Sequence, residues 1–416
     1  GGRWQHGGMP AVLRLPGVAD LTLVTAGAMT ANVAGYLLQL LAGRWLGVTG
    51  YSEFASLLAV QLLCAVPALA LQNVVARELV RGARVATVRA LGWWCAAVVA
   101  VVAAVLVPVV SAVLHVGAVA AAGALLAAPA QVLICGEQGI LQGGRRFRAL
   151  ATVLGVAGVA RVVPALVVLA AGAGAAAALW AAALGLFAAA IGARRAAAPV
   201  ANPEESDVRD ITRVRAGGLA VLRAVQVQAA LMAMSSADLI VARIVLERDD
   251  AGRYALGAIA TKIAFWLPQA VGVVLYPRMA QPQNSARAIR AALGVLLGVG
   301  VAAVAGAAVF APLAPLLAGH DYAPIEGWLW LFALDGALLA LLQGALLSAI
   351  AVDRTAPAVI TWVGLAVEVI AIALFAHTLP ALIGTSTFVV AVVAALMIVV
   401  VLRAAARSHD VPVDHS

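Results

Sequence analysis

Residues 236–278 read SADLIVARIVLERDDAGRYALGAIATKIAFWLPQAVGVVLYPR: two long apolar runs held apart by Glu247, Arg248, Asp249, Asp250 and Arg253. About twenty apolar residues let a helix cross the hydrocarbon of a bilayer. The stretch therefore reads as the end of one membrane span and the whole of the next, joined outside the membrane. The same division along the chain yields twelve spans: 21–43, 53–75, 91–114, 117–141, 150–171, 174–193, 216–246, 253–275, 288–311, 328–350, 357–376 and 380–402.

Composition agrees with this division. The 416 residues are 64% hydrophobic and only 11% charged, with a mean hydropathy of +1.04. Soluble domains carry about a quarter charged residues, so this surface has to face acyl chains. The net charge of +8 does not mark a nucleic-acid binder, because the arginines sit in short segments between apolar runs. With the N-terminus placed in the cytoplasm, the twelve-span division puts twenty arginines in cytoplasmic segments and only Arg44, Arg248 and Arg253 on the other side. That asymmetry is the positive-inside pattern of a bacterial cytoplasmic membrane protein with both termini inside. The segment before Leu21 has no long apolar core, so the first span stays as an anchor. Met9 is a candidate start residue, which would set Gly1 to Gly8 outside the native chain. Cys64, Cys95 and Cys135 lie within apolar runs and suggest neither a disulfide framework nor a metal site.

The chain divides into an N-terminal segment (1–20), a first six-helix bundle (21–193), a linker (194–215), a second six-helix bundle (216–402) and a tail (403–416). The linker is the longest polar stretch, with Pro199, Pro203, Glu204, Glu205 and Asp207. The bundles echo one another. Phe54-Ala55 returns as Tyr254-Ala255, 200 positions later. Pro67, Arg77 and Arg89-Ala90 return as Pro268, Arg278 and Arg290-Ala291, each 201 later. Six spans per half is an even number, so both halves enter the membrane in the same sense. The expected fold is an all-α polytopic membrane protein, two six-helix bundles related by a parallel pseudo-two-fold repeat.

Polar side chains in hydrocarbon are costly unless they face a cavity or a partner. Several fall on helical faces here. Thr25, Asn32, Tyr36 and Gln39 share one face of the first span; Gln61 and Gln72 share one of the second. Gln228, Ser235 and Asp238 lie on the seventh; Lys262, the only lysine, lies with Trp266, Gln269 and Tyr276 on the eighth. These stripes predict a water-filled cavity between the bundles. The competing reading is interhelical glue. Arg223 with Lys262 would make the lining cationic, and Arg44 and Arg243 are candidate outer cations that could instead snorkel to the interface. Similar depths suggest an Asp238–Lys262 ion pair. Glu137 and Arg161, on adjoining spans, are candidates for a second pair, and Glu368 is also embedded. No nucleotide loop, zinc spacing or nucleophile triad occurs, so the reading is not an enzyme and names no cofactor or metal.

Gly43-Arg44-Trp45-Leu46-Gly47 leading to Tyr51-Ser52-Glu53-Phe54-Ala55, and Ser236-Ala237-Asp238 through Ala251-Gly252-Arg253-Tyr254-Ala255, Lys262, Leu267-Pro268 to Tyr276-Pro277-Arg278, resemble the polysaccharide-export flippases of the multidrug/oligosaccharidyl-lipid/polysaccharide (MOP) superfamily. The resemblance spans about residues 20–402. It implies alternating access around a central cavity and an undecaprenyl-diphosphate-linked oligosaccharide carried from the inner to the outer leaflet. It also implies membrane lipids as partners, with a glycan polymerase or glycosyltransferases as candidate partners and no nucleic acid. The alternatives are a cation-coupled multidrug or small-solute antiporter of the same superfamily, and a non-transporting subunit of a glycan synthesis complex. The first two spans lack a mid-membrane carboxylate, which disfavours drug–proton antiport.

Overall fold

A computed structural model describes residues 18–198, 210–279, 285–350 and 356–407. Its elements are α1 (Val18–Cys64), α2 (Val66–Val80), α3 (Val85–Leu114), α4 (Ala118–Leu125), α5 (Ala127–Gly143), α6 (Phe147–Ala170) and α7 (Ala175–Ala197), then α8 (Asp210–Val245), α9 (Arg248–Met279), α10 (Ser285–Val309), α11 (Leu313–Ala318), a 3-10 segment His320–Trp328, α12 (Leu329–Ile350), α13 (Ala356–Phe375) and α14 (Leu379–Arg407).

The first two spans are two helical arms that meet at Gly47, whose φ of 67° and ψ of 176° are not helical and break α1 there. A left-handed φ costs glycine little and most other residues more. The second arm of α1 continues through Ala65 into α2, and α4 runs into α5, so each pair makes one crossing. Twelve crossings result, as the hydrophobic runs predicted. Among the described residues, eight helical segments are long and apolar enough to span a membrane, the first holding both arms of α1 and α2. Segment 194–215 is partly helical: α7 continues to Ala197 and α8 begins at Asp210, while 199–209 lie outside the described residues.

An even number of crossings leaves both chain ends on one face, the near end. The opposite, far end carries Gly47, Leu114, Leu246 and the 3-10 segment. The buried cores show how the bundles meet. One core is common to both at the far end, with Leu38, Tyr51, Phe54 and Leu114 from the first and Leu239, Tyr254, Phe332 and Ile383 from the second. Toward the near end the cores separate. One holds Leu71, Val75, Cys95 and Leu186; the other holds Leu231, Phe265, Leu339 and Met397, with Val66 reaching in from the first bundle.

The far-end seam follows the repeat. Thr49 Oγ1 lies 2.8 Å from Asp249 Oδ1, across two positions 200 residues apart. Beside them Gly252 packs against the Val48 carbonyl so closely that a Cβ would collide with it. Equivalent positions 53 and 253 each clamp a far loop of their own bundle. Glu53 accepts the Gly117 amide at 3.0 Å, and Arg253 Nε donates to the Asp321 carbonyl at 2.8 Å. Other bonds cross between bundles. Arg243 donates to Ser52 Oγ at 2.7 Å and to the Leu114 carbonyl at 3.2 Å, and Tyr322 donates to the Gly43 carbonyl at 3.0 Å.

Overpacking a tight contact costs about 1–3 kcal/mol. G252A is therefore expected to lower the thermal midpoint in detergent. G306A, whose Cβ would meet nothing within 4 Å, should not; equal midpoints for the two variants would show the seam to be loose.

Candidate functional site

Inside a bilayer two charges meet only if their helices bring them to the same depth. A helix rises about 1.5 Å per residue, so depth can be counted from the helix ends. Glu137 lies six residues from the near end of α5, and Arg89 four residues from the near end of α3. They pair: Arg89 Nε and Nη2 donate to the two Glu137 carboxylate oxygens at 2.8 and 2.9 Å. Arg161, expected opposite Glu137, is fourteen residues from the near end of α6, about 12 Å deeper. The Glu137–Arg161 pairing is therefore corrected to Glu137–Arg89. Arg161 remains in the interior with a buried Nε that has no partner, within electrostatic reach of Lys262.

Asp238 is corrected for a similar reason. Helix α9 starts at Arg248, five residues before the predicted span. Lys262 is thus fourteen residues from the far end of α9, while Asp238 is seven from that of α8. No contact ion pair joins them among the described residues, although Lys262 lies within electrostatic reach. The close partner of Asp238 is Tyr254, whose hydroxyl donates to Oδ2 at 2.6 Å.

Asp238 and Tyr254 belong to a layer of polar residues. Asp335 on α12, Glu368 on α13 and Ser386 on α14 lie six or seven residues from the far ends of their helices, about 10 Å deep. Ser386 donates to Glu368 Oε1 at 2.8 Å. Asp238, Asp335 and Glu368 lie within electrostatic reach of one another and are 3%, 1% and 0% exposed. Asp335 Oδ1 and Glu368 Oε2 have no partner. Three carboxylates in a dry interior cannot all carry charge without a counter-charge. Among the described residues no cluster of His, Cys, Asp or Glu that could hold a metal ion occurs, and Lys262 lies within electrostatic reach of Asp238. Glu368 was noticed in the sequence only as embedded, and Asp335 was missed. The available signal was an acid at one common depth in consecutive apolar helices.

The predicted stripes are placed as follows. Asn32, Tyr36 and Gln39 are half-buried on the first arm of α1. Tyr36 donates to the Lys262 carbonyl at 3.4 Å, joining α1 to α9 across the bundles. Gln61 is buried. Gln72 instead donates to Gln142 at 3.3 Å within the first bundle, and Ser235 bonds back to the Met232 carbonyl at 2.9 Å. Both are helix-to-helix or intrahelical bonds, the alternative to cavity lining. Trp266 packs edge-on to Phe265 with centroids 4.9 Å apart. Arg44 is exposed and reaches the Leu317 carbonyl only at 3.5 Å, whereas Arg243 is bound into the far-end seam. Arg223, Gln228, Gln269 and Tyr276 belong to α8 and α9, but their side chains lie outside the described residues. Tyr36 thus meets the Lys262 backbone across the bundles, and Arg161 and Asp238 each lie within electrostatic reach of Lys262.

No family model and no curated protein matches the sequence. Solved structures match across nearly the whole chain. A lipid II flippase, MurJ, in an inward closed conformation aligns with a TM-score of 0.69 at 11% identity, covering 92% of this chain and 87% of that one. A multidrug resistance MATE family transporter of the MOP superfamily in its outward-facing conformation aligns at 0.59 and 14% identity, covering 96% and 98%. The inward-facing conformation of such a transporter aligns at 0.59 and 13%, covering 95% and 96%. These likenesses establish the fold, an all-α membrane protein of the two-bundle MOP architecture.

Breaking a buried ion pair by removing one partner costs about 3–5 kcal/mol, and less where, as here, Arg89 is partly exposed. R89E and E137R should each lower thermal stability, and the double variant R89E/E137R should recover most of the loss. Additive losses in the double variant would count against the pair.

Proposed function

We propose that this chain is a flippase that carries a polyprenyl-diphosphate-linked oligosaccharide, of the undecaprenyl kind, across a bacterial cytoplasmic membrane by alternating access. The observation that carries this reading is that Arg161 of the first bundle lies within electrostatic reach of Lys262 of the second, with a buried Arg161 Nε that has no hydrogen-bond partner among the described residues. Asp238 lies within electrostatic reach of Lys262, but one carboxylate balances only one of two like charges in a low-dielectric interior, which leaves room for an anion. A diphosphate suits them, because guanidinium and ammonium donors can engage its oxygens from two sides. The half-buried Asn32, Tyr36 and Gln39 would offer hydrogen bonds to sugar hydroxyls nearby.

The three cores support the direction of movement. The bundles share a large core at the far end, whereas toward the near end only Val66 and its neighbours link them, as expected of a transporter open toward the near side. The arginine-rich near side is cytoplasmic under the positive-inside rule. Admission on the opposite side then requires the far-end bonds of Arg243, Tyr322 and Thr49 to break. The buried acid layer of the second bundle would take up and release the coupling proton.

That same layer favours a second reading, a proton-coupled antiporter of small solutes. The two separate experimentally. In liposomes holding a fluorescent polyprenyl-diphosphate oligosaccharide, R161A and K262A should each slow flipping at least tenfold. Hydrogen bonds to charged groups are worth about 1.5–3 kcal/mol, which corresponds to that size. E368Q should remove the dependence on a proton gradient while substrate still binds. Normal flipping by both R161A and K262A would sink the flippase reading; gradient-driven drug efflux by the wild type without any flipping would establish the antiporter.

A further inference from the structure

We propose that the first bundle holds an anionic phospholipid of the near-side leaflet in a groove between α3, α5 and α7, a site independent of the transport path. The groove has a volume of about 210 Å³ and is lined by Trp93, Leu133, Glu137, Phe187, Ile191 and Arg194, with Ala190 at its floor.

Its polarity is graded along the membrane normal. Arg194 lies in the last turn of α7. Phe187 is seven residues earlier on the same helix, about 10 Å deeper. Leu133 lies four residues deeper on α5 than Glu137. A charged mouth at the headgroup level thus leads down into an apolar slot, the profile of a lipid headgroup followed by its acyl chains. Trp93 is 53% exposed, eight residues into α3, at the depth where indole rings sit in interfacial belts.

The charge balance selects an anion. Glu137 is the only acid in the lining, and both its oxygens are taken by Arg89. Among the described residues, that leaves Arg194 as the charge of the mouth with no paired acid, and Arg195 follows it in the last turn of α7. Basic pockets between helices on the cytoplasmic side suit anionic headgroups. Two other grooves among the described residues differ. The one between α10 and α12, lined by Leu297, Val301, Trp330 and Leu341, and the one between α13 and α14, lined by Val359, Phe388 and Leu396, carry no charged residue. They offer nothing that would distinguish one headgroup from another.

The full chain in nanodiscs tests this by tryptophan quenching with brominated phosphatidylglycerol against brominated phosphatidylcholine. The wild type should prefer the anionic lipid, R194Q should reduce the preference about fivefold, the size of one basic contact at an anionic surface, and R194K should keep most of it. W93F should remove the lipid-selective part of the quenching, which ties the signal to this groove. The proposal is overturned by no anionic preference in the wild type, by R194Q retaining it, by R194K losing it as fully as R194Q, or by W93F leaving the selective quenching undiminished. Displacement of the lipid by millimolar inorganic phosphate would mark a free-anion site and overturn it equally.

Discussion

A charge buried in hydrocarbon can be satisfied only by a group at its own depth, because no water is present to serve it. The interior of this protein is organised by that constraint. Arg89 and Glu137 start from opposite ends of the sequence order of their helices, yet both lie within two turns of the near end, and they pair bidentately. Asp238, Tyr254, Asp335, Glu368 and Ser386 come from five helices of the second bundle and form one layer. Among the described residues Arg161 and Lys262 form no ion pair, and they lie within electrostatic reach of each other.

Apolar packing then sets which end of the molecule is sealed. Tyr51, Phe54, Tyr254 and Phe332 are fully buried in a core shared by both bundles. Their aromatic bulk lies where the repeat axis brings equivalent helices together. The Thr49–Asp249 contact of that seam is exposed and the Arg243–Ser52 bond is partly buried. An exposed hydrogen bond exchanges readily for water, so separation of the bundles at this end is opposed by the apolar core together with the Arg243 bond. Toward the near end the cores of the described residues are mostly separate, with Val66 of the first bundle packed into the core of the second. The two ends therefore differ in what holds them, as a molecule that opens alternately requires.

The polar stripes were a partial guide. Helical spacing grouped Asn32, Tyr36 and Gln39, and all three are half-buried. It also grouped Gln61 with Gln72, although Gln72 turns to Gln142 inside its own bundle. Spacing describes one helix at a time, and a polar face can meet a cavity or a neighbouring helix with the same periodicity. Asp335 was overlooked because it stands alone in α12 without a stripe. It acquires significance only beside Asp238 and Glu368, residues 97 and 33 positions away in the chain.

What the sequence by itself determined is the all-α membrane class, twelve crossings and an internal repeat with a 200-residue offset. Hydrophobic length and the placement of arginines act on each crossing separately and need no neighbour. Tertiary structure alone decided which charges meet, which bundle faces seal and where Arg161 and Lys262 lie. One residue shifts a side chain by about 1.5 Å in depth and about 100° around the helix. The five extra residues at the start of α9 were therefore enough to carry Lys262 below Asp238, and Tyr254 took the place beside that carboxylate.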